Sequence, residues 1–150
     1  LPPQKKNAVS QYNVEGKQLE AFLGPLESSI LETIWCSKKR PMTVREVLEI
    51  LQKKKPVAYT TIMNTMDRLF EKGLLERHVE KGKGGLYYVY WPRLEEQKFK
   101  EAAIREVLGS LIANFGTLVT SCLIEKAADN KEQLAALKEQ LEKIMEEKKK

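Results

Sequence analysis

The chain is poor in the residues that most chemistry requires. It has one histidine and two cysteines among 150 residues. The histidine, His78, has no cysteine, serine motif or carboxylate pair near it in a catalytic arrangement, which argues against an enzyme and leaves no catalytic residue to nominate. Cys36 and Cys122 stand far apart without CxxC or CxC spacing, so neither a zinc ribbon nor a redox pair is indicated and no metal or cofactor is expected. Cys36 follows Ile34 and Trp35, and Cys122 continues an apolar stripe; both are expected to be buried small hydrophobes. No apolar run approaches the ~18 residues of a membrane span. The opening LPPQKKNAVSQYNVEGKQ lacks the apolar centre of a secretory leader. A cytoplasmic location without membrane contact is expected, with residues 1–22 an extended or disordered tail.

What is present is positive charge, unevenly placed. Residues 1–93 carry 16 Lys+Arg against 10 Asp+Glu, and residues 94–150 carry 10 against 11, so the whole basic excess lies in the first part. Such asymmetry points the first part towards a polyanion and the second towards a protein, itself included. With 42% hydrophobic residues, the chain can bury one ordinary core and a smaller appendage.

Periodicity divides the first part into three helices and a hairpin. In GPLESSILETIWCS, Pro25 opens a helix whose Leu26, Ile30, Leu31, Ile34 and Trp35 recur at helical spacing. Pro41 prevents its continuation. Thr43 and Glu46 read as a capping box for a second helix with Val44, Val47, Leu48 and Leu51 inward. A third helix is predicted from near Tyr59, with Thr60 or Thr61 accepting its free amide hydrogens, to Lys72-Gly73. Its apolar stripe is Tyr59, Ile62, Met66, Leu69 and Phe70. The short, proline-marked turn before it gives helix-turn-helix spacing. Period-2 alternation then begins: Leu75, Arg77 and Val79 against Glu76, His78 and Glu80, a turn at KGKGG, and a return strand from Leu86 to Trp91. This is a two-stranded wing. Its glycines lack the strand-loop-helix setting of a phosphate loop.

A helix with a polar start beside a basic wing suits double-stranded DNA. The residues predicted to meet base edges are Thr60, Thr61, Met63, Asn64 and Arg68: asparagine suits adenine, arginine suits guanine or phosphate, and methyl-bearing side chains suit thymine. Phosphate contacts are predicted from Arg45 and the amides at the start of the second helix, from Lys53, Lys54 and Lys55, and from Arg77, Lys81 and Lys83 on the wing.

From residue 94 onward the pattern is helical and carries a long apolar stripe that includes Phe99, Val107, Leu108, Leu111, Ile112, Phe115, Leu118, Val119 and Leu123. Gly109 and Gly116 are expected to bend or break it. A last helix begins at Asn130, with Gln133 completing the box, and bears Leu134, Leu137, Leu141 and Ile144. This is more apolar surface than 57 residues readily bury alone, so these residues are expected to form a homodimer interface. The predicted fold is mainly α with a small β-wing: a winged helix-turn-helix domain over 23–93, then a helical dimerisation domain over 94–150.

Ala58-Tyr59-Thr60-Thr61, Arg68-Leu69, Lys72-Gly73, the first-helix phrase LESSILETIW and the strand YYVYWP resemble the penicillinase and methicillin-resistance repressor family, the BlaI/MecI/CopY group. The resemblance covers about Leu23 to Ile144. It implies a dimeric repressor, connected with antibiotic resistance, that covers a promoter palindrome with TACA/TGTA-like half-sites and leaves on a signal. In the penicillinase branch the signal passes through a membrane-bound sensor with a metalloprotease domain, and the repressor is cut at an Asn-Phe bond. The matching residues here are Asn114 and Phe115, although a dipeptide is a weak motif and Phe115 also fits the apolar stripe with Asn114 as its solvated neighbour. The copper-responsive branch carries a pair of cysteine pairs in its tail; this chain has only Cys122 there and departs from that pattern. Two other classes stay open: a winged-helix module that binds protein without DNA specificity, and a regulator that responds to a small molecule.

Overall fold

The structure is a computed structural model that describes residues 11–149. It divides into two compact units, the first ending at Glu106 and the second beginning at Val107.

In the first unit, α1 (Pro25–Cys36) starts with proline in its first turn, where a missing amide hydrogen costs nothing. Ser29 and Thr33 donate back to the carbonyls of Pro25 and Ser29, which lets polar side chains sit within a helix. Its C-terminal carbonyls would otherwise be left without donors. Arg40 gives Nη2 to Trp35 at 2.6 Å and Nε to Ile34 at 3.1 Å, and Ile34 also accepts from the Ser37 amide at 3.3 Å.

A two-residue strand β1 (Met42–Thr43) leads directly into α2 (Val44–Gln52). The predicted capping box is present: Thr43 Oγ1 accepts from the Glu46 amide at 3.1 Å, and Glu46 Oε2 accepts from the Thr43 amide at 2.9 Å. Helix α3 (Tyr59–Glu71) ends in a Schellman turn, with Gly73 donating to Phe70 and Leu74 to Leu69. Gly73 takes φ +78 there, a conformation that only glycine adopts freely. The helix start departs from expectation. Ala58 is the cap residue and no side chain caps it; Thr60 and Thr61 lie inside the first turn, past the position from which a hydroxyl can reach these amides.

Strands β2 (Leu75–Gly82) and β3 (Gly85–Pro92) form the hairpin in antiparallel register, from Leu75 opposite Pro92 to Gly82 opposite Gly85. The sheet has three strands in the order β1-β3-β2, not two. Two residues of β1, paired as Met42–Tyr90 and Thr43–Val89, carry no period-2 signal of their own.

The core of this unit gathers Ile30, Leu31 and Ile34 from α1, Val47 and Leu51 from α2, Ile62, Met66 and Leu69 from α3, and Tyr90 from β3. Each such side chain contributes about 1.5–3 kcal/mol of burial. Three expectations fail here. Leu19 and Ala21 are buried, a 3₁₀ turn spans Gln18–Ala21, and the Asn13 amide donates to Ala21. The segment before α1 is therefore docked from about Tyr12 onward, and only the first ten residues of the expected tail lie outside the described residues. Tyr59 is exposed, because the first turn of α3 projects past the core edge, and Thr65 is buried in the stripe instead, its hydroxyl donating to Thr61 at 2.7 Å. Cys36 is exposed at the end of α1 rather than buried.

Helix α4 (Glu96–Phe115) gives its first turns to the first unit. Phe99, expected at a subunit interface, is 3% exposed and lies 5.8 Å from the Trp35 ring. It belongs to the core of its own chain, since the 3.6-residue period shows which side of a helix is apolar but not what covers it. Trp35 Nε1 donates to Leu94 at 2.9 Å beside it.

The second unit comprises the rest of α4, α5 (Thr117–Ala128) and α6 (Lys131–Lys148). Gly116, at φ +59, breaks the helix as expected, whereas Gly109 is accommodated in an uninterrupted α4. Asn130 caps α6, accepting from the amides of Glu132 and Gln133. Among the described residues of this unit only Ala127 is buried. Cys122 is exposed, against expectation.

Candidate nucleic-acid interface

Helix α3 has two unlike faces. Ile62, Thr65, Met66 and Leu69 are buried, while Thr60, Thr61, Met63, Asn64 and Arg68 are all exposed. The five residues predicted to read bases thus share one open surface. Arg68 keeps only a long 3.4 Å contact to Thr65 Oγ1, so its guanidinium can reach another acceptor.

Beside that face runs a groove of about 580 Å³ between the starts of α2 and α3 and the hairpin. Arg45, Tyr59 and Met63 line one side, and Lys83, Leu86, Tyr87 and Tyr88 the other. Among the described residues, Arg45, Arg68, Lys81 and Lys83 make no ion pair, nor do Lys53, Lys54 and Lys55 after α2. All are exposed. Cations without carboxylate partners around a polar helix face are the kind of surface that suits a phosphate-bearing ligand.

Two predicted phosphate contacts are otherwise engaged. The Glu46 amide at the start of α2 is taken by Thr43. Arg77 pairs with Asp67 at 2.6 Å, and its guanidinium lies 4.0 Å from the Phe70 ring centroid and 4.1 Å from that of Tyr88. Burial pulls the Arg77 guanidinium down, but Asp67 and the Tyr90 hydroxyl outweigh it and hold the group above its ordinary value. Burial pushes the Tyr90 hydroxyl up, against the opposing pull of Arg77. The hydrogen bond from Tyr87 to Glu80 raises Tyr87 as well, so both phenols stay neutral.

Tyr59 and Asp67 belong to this surface although neither was expected as a site residue. Tyr59 fits the apolar stripe by angle alone. Asp67 becomes relevant only once the hairpin folds back over α3 and places Arg77 opposite it.

In the second unit the predicted interface residues other than Phe99 are largely open. Phe115 is 59% and Leu118 66% exposed; Leu108, Leu111, Ile112, Leu123, Leu134, Leu141 and Ile144 are exposed, and Val107, Val119 and Leu137 half-buried. Asn114 and Phe115 form the last turn of α4, immediately before Gly116. Among the described residues no helix is long and apolar enough to cross a membrane.

A family model described as penicillinase repressor matches residues 23–143. The chain belongs to the penicillinase repressor family. Two curated relatives, each named transcriptional regulator BlaI, come from the CDC 1551 / Oshkosh and H37Rv strains of Mycobacterium tuberculosis; each is 42% identical over 53 residues. Those matches span 35% of this chain and 38% of the relatives, so the chain aligns with less than half of their length. These relatives are transcriptional regulators by name. Among solved structures, a PadR family transcription regulator from Clostridium difficile R20291 aligns at TM-score 0.43 and 16% identity, over 61% of this chain and 98% of that one. A PadR family regulator from Eggerthella lenta DSM 2243 aligns at 0.41 and 17%, over 63% and 84%. Superpositions this loose do not distinguish one helical regulator from another.

Proposed function

We propose that this penicillinase repressor family chain is a DNA-binding transcriptional repressor that acts in the cytoplasm as a homodimer on a promoter palindrome. Thr60, Thr61, Met63, Asn64 and Arg68 on α3 read base edges in the major groove. Arg45, Lys53, Lys54, Lys55, Lys81 and Lys83 grip phosphates and hold the register. The observation that carries this reading is the split of α3 into a buried apolar face and an open polar face flanked by unpaired cations.

The second copy is inferred from the second unit, which presents Leu111, Phe115 and Leu118 to solvent and buries almost nothing itself. An apolar surface of this kind on a soluble regulator is best explained by a matching surface on a partner. A two-fold dimer then dictates a two-fold operator. For release, the Asn114–Phe115 bond is the proposed cutting site of a signal-activated protease: it lies at a helix end, where backbone frays most readily, and cutting there would divide the apolar stripe.

Light scattering and a salt titration of duplex binding test the reading together. A species of twice 17.2 kDa whose affinity falls steeply as salt rises is expected, because each neutralised phosphate releases counterions. A monomer, or binding indifferent to salt, would contradict it.

A further inference from the structure

Arg77 is the outermost residue of β2 that is not exposed. From His78 to the turn and back to Tyr88, every residue of the hairpin is open to solvent. A two-stranded ribbon on its own is marginal in water, so its direction depends on what holds its base. Leu75 and Tyr90 anchor that base in the core, and at its outer edge one guanidinium ties it to α3. Its Nη1 meets Asp67 of α3 at 2.6 Å, and its Cζ lies 4.0 Å from the Phe70 ring centroid of α3 and 4.1 Å from that of Tyr88 of β3. The Arg77 side chain is only 21% exposed and already paired with Asp67, and two rings lie against its guanidinium, so it is poorly placed to grip a phosphate.

We infer that Arg77 is a positioning residue: with Asp67 it fixes the angle between the hairpin and the reading helix, and so sets DNA affinity without touching DNA. The inference rests on the DNA-binding reading above. It assigns an acidic residue on the DNA-facing helix a favourable role through its pair with Arg77, where its repulsion by DNA phosphates alone would make it unfavourable. Lysine at position 77 keeps the charge and the reach but lacks the planar group that fills the space between two rings. A mere phosphate contact would survive that exchange.

The test compares Arg77→Lys, Asp67→Ala and the double variant for duplex affinity across a salt series, with hydrogen exchange of the free proteins in parallel. Each single change is expected to weaken binding about tenfold, and the double change no more than the worse single one, because both remove one shared interaction. The dependence of affinity on salt keeps its wild-type slope. In the free proteins the hairpin amides exchange faster while those of α1 do not, which separates a loosened hairpin from a lost fold. Near-normal binding by Arg77→Lys, tighter binding by Asp67→Ala, or additive losses would each overturn the inference. Arg77→Ala, which also removes the charge, is measured beside them, and a slope reduced by about one in that variant would mark a direct phosphate contact instead. If the wild-type protein binds no duplex, the DNA reading fails and hydrogen exchange alone decides whether the pin exists.

Discussion

Replacing Phe99 by alanine separates the two roles that an apolar residue near the start of α4 can have. Phe99 is 3% exposed, and its ring lies 5.8 Å from that of Trp35 at an interplanar angle of 40°. Removing the ring forfeits its burial and leaves a cavity among Trp35, Leu31 and Leu74, neighbours that helix α1 and the α3 turn hold in place. Buried Phe→Ala changes of this kind cost about 3–5 kcal/mol. For a unit of this size that is a fall of roughly 15–25 °C in melting temperature. Phe115→Ala is the control: at 59% exposure it should leave the winged unit intact and raise the dimer dissociation constant on the order of tenfold. Thermal and denaturant melts followed by tryptophan fluorescence, at one fixed protein concentration, report the first effect, and sedimentation equilibrium reports the second. A Phe99→Ala protein that melts like wild type yet falls apart into monomers would refute the placement of Phe99 in the core of its own chain.

Three further outcomes follow from the same geometry. Asn64→Ala should change preference among duplexes, whereas Lys81→Ala with Lys83→Ala should weaken binding to all of them alike, as competition between cognate and scrambled DNA will show. Gly73→Ala should cost about 1–2 kcal/mol in a urea melt, since φ is +78 and the new Cβ would lie 3.2 Å from Arg93 Nη1; no loss would mean that the Schellman turn rearranges freely. Burial pushes the Glu46 carboxyl up, but Lys39 and the Thr43 amide and hydroxyl pull harder and hold it below its ordinary 4.5. Its contribution is therefore complete above that value and fades as pH falls through the depressed one. Thr43→Ala should cost about 1 kcal/mol near neutral pH, and Glu46→Gln should flatten the acid limb of wild-type stability; an unchanged acid limb would remove Glu46 from the account.

Much of this architecture was legible because single residues acted locally. Pro25, the Thr43–Glu46 box, Gly73 and Asn130 mark helix ends through chemistry within a turn of themselves, and the open face of α3 follows from where its buried residues recur. What escaped was set by distant contacts. Leu19 has no periodic neighbours to announce it, yet it fills the core. Met42 and Thr43 form a strand only because Val89 and Tyr90 lie alongside. Arg77 reads as a wing cation until Asp67, Phe70 and Tyr88 surround it. Phe99 shares its spacing with residues that remain open. Cys36 lies at a helix end, past the edge of the core that its apolar neighbours Ile34 and Trp35 serve.

The central claim, a dimer that reads sequence through α3, is tested most directly by selecting bound sequences from a random duplex library with the purified chain at near-physiological salt. Enrichment of a palindrome whose half-site centres lie about one helical turn apart is the predicted result. Weak binding without enrichment would contradict it and would instead favour a winged-helix module whose partner is a protein.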